Sequence, residues 1–306
     1  MIYTVTLSPA LDYLMWLDHF EEGGLNRAHQ TIFRAGGKGI NVSIVLSRLG
    51  FPSVCWGFAA GFTGRELMRL LSSEGIAHDF IMAENGCTRI NVKVKSDSET
   101  EINADGPEIT EAALKCLKEK AWKLTPDDIL ILSGKPPKSV PEDIYSSLLN
   151  AVSGKNVRTV VDTSGDHLLA ALAEKPYLIK PNKAELEEIC KTELSSTELI
   201  ASAACSLRDK GARNVLVSLG ADGALLAADD GQVYICGIPE GKLIDSTGAG
   251  DSMTAGFIAK DLSGVGKSEC LRYAVACGSA SAYSYDLLTA AELEKVYLQT
   301  PDPETL

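Results

Sequence analysis

The chain has 306 residues, 45% of them apolar and 23% charged, long enough for one large α/β domain or two smaller ones with full cores. Its net charge of −12 argues against a nucleic-acid or anionic-membrane surface, and no run reaches the roughly 18 apolar residues that span a bilayer. The opening MIYTVTLSPA lacks the basic and apolar regions of a signal peptide, and eight scattered cysteines without a CxxC pair fit reduced thiols in a cytoplasmic protein.

Ile2–Leu7 alternates and is rich in β-formers, which predicts a strand. Gly39–Leu49 sets Ile40, Val42, Ile44, Val45 and Leu46 in a helical stripe that stops at Gly50. Val54–Ala59 reads as a strand, and Thr63-x-x-Glu66 as the capping box of a helix ended by Gly75. Arg89–Lys95 and Glu99–Asn103 alternate around the polar Ser96–Ser98, the pattern of a hairpin with one wet face. With part of Tyr13–Phe33 it is expected to form a small separate sheet.

From there helices are predicted at Thr110–Leu124, Pro141–Val152, His167–Ala173 and, capped by Ser195-x-x-Glu198, Ser195–Lys210. Buried strands are predicted between them at Asp128–Ser133, Val157–Asp162, Tyr177–Lys180 and Asn214–Ser218. Ala224–Ala228 and Val233–Cys236 read as an antiparallel pair, and helices follow at Gly248–Leu262, Glu269–Ser284 and Thr289–Leu298. Strands alternating with helices predict a mainly parallel sheet covered on both faces. Ligands of such sheets bind beyond the carboxyl ends of the strands. The polar loops there, Ser8–Asp12, Ser133–Lys138, Asp162–Asp166, Lys180–Glu185, Ser218–Gly223 and Asp245–Asp251, are therefore expected to share one cleft.

Two stretches carry the chemistry. Gly248-Ala249-Gly250-Asp251 opens a helix whose first N–H groups have no partner and favour an anion. Asp251 stands where a P-loop has lysine; by itself it reads equally as a favourable first-turn acid. Gly36-Gly37-Lys38-Gly39-Ile40-Asn41 opens a second helix and adds a cation and an amide; a tight turn with a solvated Lys38 is the plain alternative. Asn182-x-x-Glu185 is equally a helix capping box, and Ser218–Gly223 equally a hairpin turn. No histidine spacing suits zinc.

In order along the chain, SPALD (Ser8–Asp12), Gly36–Ser43, Asn182–Glu185, Ser218–Gly223 and DSTGAGDSMTAG (Asp245–Gly256) resemble the signatures of the ribokinase-like, or PfkB, carbohydrate kinases. The likeness runs from about residue 2 to 295. Thr88–Val92 with Thr100–Asn103 is most similar to the 1-phosphofructokinase and tagatose-6-phosphate kinase branch. The resemblance implies a ribokinase-like three-layer α/β sandwich with a mainly parallel sheet. It further implies one kinase domain over residues 1–306, with a small β-sheet lid inserted at about 12–33 and 88–104.

The activity implied is ATP- and Mg²⁺-dependent phosphorylation of a ketohexose phosphate, first fructose 1-phosphate to fructose 1,6-bisphosphate. Tagatose 6-phosphate, fructose 6-phosphate or another sugar are the alternatives, and a non-catalytic sugar-phosphate sensor is the rival of a different class. By the same resemblance Asp251 is the general base and Gly248, Ala249 and Gly250 frame the anion hole, while Asp245 orders the loop. Asp12, Gly37, Lys38, Asn41, Arg89, Asn91, Asn103 and Lys135 face the sugar phosphate. Asn182, Ser218, Gly220 and Gly223 face the nucleotide, and Glu185 holds the metal through water.

Arg89 and Lys38 are the expected grips on the substrate phosphate, though Arg89 on a half-wet strand can also be a plain surface charge. Two stretches depart from the family pattern. Ser133-Gly134-Lys135-Pro136 has lysine where a serine is usual, and Ser284–Leu287 lacks the glycine expected near the nucleotide base. A homodimer is expected through the lid, near Met15–Leu17 and Ile90–Lys95, because a small sheet with an exposed apolar face needs a partner.

Overall fold

The computed structural model describes residues 1–306. The first strand, β1 (Ile2–Thr6), lies at the centre of the main sheet. It leads into β2 (Ala10–Trp16) and β3 (Gln30–Gly36), then α1 (Lys38–Arg48), β4 (Ser53–Ala59) and α2 (Gly61–Ser73). Two short strands, β5 (Ala77–His78) and β6 (Ile81–Met82), precede the hairpin of β7 (Arg89–Lys95) and β8 (Glu99–Asn103).

Alternating units follow: α3 (Glu111–Trp122), β9 (Ile129–Ser133), α4 (Ile144–Val152), β10 (Arg158–Asp162), α5 (Gly165–Leu172) and β11 (Leu178–Ile179). Helices α6 (Lys183–Cys190) and α7 (Thr197–Asp209) lead to β12 (Asn214–Ser218), β13 (Ala224–Ala227) and β14 (Val233–Cys236). The chain closes with α8 (Ala249–Leu262), α9 (Lys267–Ala282), α10 (Ala290–Gln299) and β15 (Glu304–Thr305).

The main sheet runs β15-β14-β13-β12-β11-β10-β9-β1-β4-β5, parallel from β12 to β5 and antiparallel from β12 to β15. Successive side chains of a strand point to opposite faces, and both faces here are apolar. Ile129 and Ile131 enter one core with α1, α8 and α9, while Leu130 and Leu132 enter the other with α3, α4, α5 and α7. This is the three-layer arrangement that the alternating pattern predicts.

A second sheet, β3-β2-β7-β8, stands apart from the first. β2 pairs antiparallel with β3 and parallel with β7, and β7 pairs with β8 in the expected hairpin. Three residues separate the end of β1 from the start of β2.

Several local expectations need correction. Thr63 is not a cap: α2 starts at Gly61, and the buried Thr63 hydroxyl donates to the Thr88 carbonyl at 2.7 Å instead. Glu66 meanwhile pairs with Arg69. Helix α7 is capped one residue later than expected, by Ser196, whose Oγ accepts the Leu199 N–H. The Asn182–Glu185 capping box forms as its spacing allows, opening α6. All eight cysteines are unpaired, and Cys87 and Cys116 are exposed rather than core.

Candidate active site

The loops at the carboxyl ends of β1, β9, β10, β11 and β12 converge with the openings of α1 and α8. At Gly248 the backbone takes a positive φ of 79°, which favours glycine, and a Cβ there would press on the end of the Leu287 side chain at 2.5 Å. No side chain caps α8. The Ala249 N–H turns back to the Ser246 carbonyl at 3.2 Å, whereas the N–H groups of Gly248, Gly250 and Asp251 have no backbone acceptor. Three unpaired donors at the positive end of a 14-residue helix are the chemistry an anion would need, and Ala249 adds no donor there.

Asp251 is buried beside them and accepts a hydrogen bond from Asn41 Nδ2 at 2.7 Å. That contact joins the two glycine-rich motifs, 210 residues apart. Burial, followed by the negative charge of Asp162, pushes the Asp251 carboxyl up to about 6, against the opposing pull of Lys38, the Asn41 bond and Lys180.

Sequence reasoning assigned no role to the ion cluster next to this site. Asp162, at the end of β10, is fully buried and pairs with Lys38 Nζ at 3.0 Å and Lys180 Nζ at 3.3 Å. Burial alone would protonate Asp162, but the two ammonium groups outweigh it and hold its pKa below the usual carboxylate range. For Lys38 burial likewise opposes the charge, yet Asp162 and Asp251 raise its pKa above the ordinary value. A Cβ on residue 250 would approach Lys180 Nζ to 3.0 Å, so that ammonium lies directly beneath the α8 opening. The rule that strand ends carry ligands was the available signal, since Asp162 and Lys180 both sit at such ends.

The acceptor-side candidates divide between two spaces. A cavity of about 700 Å³ is lined by Gly37, Lys38, Arg89 and Lys135 together with Thr6, Ser133 and Lys138. Lys135 and Lys138 are exposed and make no ion pair, and Arg89 donates only to the Ser8 carbonyl at 3.3 Å. The hydroxyl oxygens of Thr6 and Ser133 are buried behind this wall and have no hydrogen-bond partner.

Asp12 and Asn41 line a second, smaller cavity of about 270 Å³, together with Lys93 and Asp245. Asp12 lies inside β2 rather than at a strand end. It is held by Asn91 Nδ2 at 3.0 Å and faces Lys93 Nζ at 3.8 Å, and burial raises its pKa against both. Asn103 stands opposite Asn91 in the hairpin, as the spacing suggests, but is exposed and lines neither cavity.

On the donor side, Asn182, Ser218, Gly220 and Gly223 line a cavity of about 500 Å³ with Ala249 and Gly250. An isolated bridge ties Asn182 to Ser218. Gly223 has φ of 89°, and a Cβ would meet the Cys236 carbonyl at 2.0 Å, so the turn can be built only with glycine. Glu185 Oε2 accepts the Asn182 N–H at 2.8 Å. No group of three metal-ligating side chains occurs. A divalent ion carried by nucleotide phosphates needs only one nearby carboxylate and waters, so Glu185 fits that chemistry and not a protein-built cage. Ser284–Leu287 does not line this cavity as a unit. Asp286 pairs with Arg34 and Arg48 instead, against the small sheet.

Comparison with known proteins bears on this geometry. The family model described as "pfkB family carbohydrate kinase" matches residues 5–292. The 1-phosphofructokinase of Bacillus subtilis is 43% identical over 289 residues, covering 94% of this chain and 95% of its own. The D-tagatose-1-phosphate kinase of Bacillus licheniformis is 37% identical over 301 residues, 98% of each chain. Among solved structures, phosphofructokinase-2 from Escherichia coli in complex with fructose-6-phosphate superimposes with a TM-score of 0.91 at 31% identity, covering 97% of this chain and 98% of that one.

Proposed function

The chain belongs to the pfkB family of carbohydrate kinases, and from that premise we propose that it transfers the γ-phosphoryl group of ATP to the 6-hydroxyl of fructose 1-phosphate. One observation carries the reading: a buried carboxylate, raised towards neutrality, stands at the mouth of an uncapped helix between a cationic cavity and a glycine-walled one.

The 1-phosphate sits in the cavity of Lys38, Arg89, Lys135 and Lys138, where Lys38 also holds Asp162. Asp12 and Asn41 hold sugar hydroxyls. ATP occupies the opposite cavity with its γ-phosphoryl group at the N–H groups of Gly248, Gly250 and Asp251. The Asp251 carboxylate accepts the proton of the attacking hydroxyl as the new P–O bond forms and the bond to ADP breaks. Asp162 and Lys180 keep the local charge fixed while this happens, so nothing needs to rearrange in the transition state. Mg²⁺ bound with ATP supplies charge neutralisation at the phosphates, and Glu185 with Asn182 would hold it through water.

A second reading, tagatose 1-phosphate as acceptor, is favoured by the Bacillus licheniformis relative. The two sugars differ in configuration at one carbon and share the phosphate position. A screen of ADP release with Mg-ATP over ketose 1-phosphates, ketose 6-phosphates, free ketoses and nucleosides separates them. Greatest kcat/KM on fructose 1-phosphate is the expected result, and turnover only on a free sugar or nucleoside would overturn the reading.

The β3-β2-β7-β8 sheet acts as the lid in this scheme. Its exposed apolar side chains, Phe33 and Ile102, lie on the outer strands β3 and β8, in one cross-strand row with the half-buried Tyr13 and Val92. A homodimer is expected through this face, which takes in part of Met15–Leu17 and Ile90–Lys95. Light scattering at micromolar concentration should give twice the chain mass, and an Ile102→Asp variant half of that. A wild-type monomer would remove the dimer.

A further inference from the structure

The small sheet touches the main domain through a residue, Lys95, that lies outside every family signature. Strand β7 begins at Arg89, in the cationic cavity, and ends at Lys95. From that far end Lys95 Nζ reaches Asp245 Oδ2 at 2.9 Å, with Glu99 Oε2 as its second partner at 2.8 Å. Both Lys95 and Asp245 are largely shielded from solvent. Asp245 opens the loop into α8: its Oδ1 accepts the Thr247 N–H at 2.8 Å, and its own N–H donates to the Ala282 carbonyl at 3.2 Å. Asp245 thus folds the loop that ends in the free N–H groups of Gly248, Gly250 and Asp251. A cavity lined by Asp12, Lys93, Asp245 and Thr247 separates the rest of the small sheet from this loop, and the Lys95 ion pair bridges it.

We infer that Lys95 is a positioning residue for phosphoryl transfer. Its ammonium links the strand that carries the acceptor-side Arg89 to the carboxylate that folds the anion-hole loop, so seating of the sugar phosphate and alignment of the phosphoryl donors are coupled. This rests on the kinase reading above. A charge pair of this kind costs little when lost at an open surface, but a shift of about 1 Å in a phosphoryl-binding loop is worth on the order of 100-fold in rate.

The test is steady-state kinetics with Mg-ATP and fructose 1-phosphate for Lys95→Met, Asp245→Asn, the double variant and Lys95→Arg, with Asp251→Asn in parallel. Lys95→Met is expected to lower kcat about 30-fold with KM for the sugar phosphate changed less than about 3-fold. The double variant should be no slower than the worse single one, because the two groups act as a unit, and Lys95→Arg should recover most of kcat. A Lys95→Met enzyme with unchanged kcat, or single losses that multiply in the double variant, would overturn the proposal. So would a loss confined to KM, which would make Lys95 an ordinary lid contact. Calorimetric binding of fructose 1-phosphate by Lys95→Met shows that the variant is folded. If Asp251→Asn retains full turnover, the kinase reading of the loop fails first; if it is inactive and Lys95→Met is not, only the positioning role fails.

Discussion

Asp251→Asn is expected to lower kcat by about 10³- to 10⁴-fold while leaving ATP and sugar-phosphate binding intact, because it removes the proton acceptor and little else. The Asn41 contact can be kept through the amide oxygen of the new side chain. The wild-type enzyme should carry a matching pH signature. The base works only ionised and its pKa lies near 6, so kcat/KM for the acceptor should be flat above about pH 7 and fall about tenfold per unit below 6. An ordinary surface aspartate would place that limb near pH 4.

The same shift has a cost in stability, and its sign is fixed. A carboxyl raised in the folded state binds its proton more tightly there than in the unfolded chain. Stability is therefore lost as pH rises from about 4 to 6 and stays lost above, by about 3 kcal/mol. Asp251→Asn should consequently unfold at a higher temperature than wild type at pH 8, and the gap should close near pH 4. A variant with full turnover, or one less stable than wild type at pH 8, contradicts the assignment of a strained, buried base.

The second large effect belongs to Arg89. Arg89→Ala should lower kcat/KM about 10²- to 10³-fold for a ketohexose 1-phosphate and less than about 3-fold for the free ketose. Its guanidinium lines the cavity and spends one donor on the Ser8 carbonyl, which leaves the remaining N–H groups for a phosphate. Lys38 in the same cavity spends one N–H on Asp162 and keeps two donors for the phosphate. Lys135 and Lys138 can supply charge but no bidentate fork, so part of the affinity for the phosphate should survive. Parallel assays on the phosphorylated and free sugar decide the point, and equal losses on both would move the phosphate away from Arg89.

Much of this site was legible along the chain because backbone geometry dictates it. Gly223 is glycine because a Cβ there would meet the Cys236 carbonyl, Gly248 because its positive φ favours glycine, and such positions show in the sequence as motifs. The Asn182–Glu185 box and the β7–β8 hairpin are likewise local, set by neighbours three to ten residues away. The errors arose where a local rule met a distant competitor. Thr63 has the spacing of a cap, but the Thr88 carbonyl across the fold takes its hydroxyl. Asp12 looked like the end of a strand, and proved to lie inside the next one because β7 pairs beside it.

Short stretches of the chain were enough to give the layered α/β architecture, the two glycine-rich helix openings and Asp251 as an acid where a P-loop has lysine. Alternation, periodicity and φ preference are properties of short stretches, so they can be read without coordinates. The distribution of charge around that acid emerges only in three dimensions. Asp162, Lys38 and Lys180 come from three separate elements, and Lys95 reaches Asp245 across 150 residues. Coulomb interactions and desolvation depend on distance through space and on burial, and neither quantity is written along the chain.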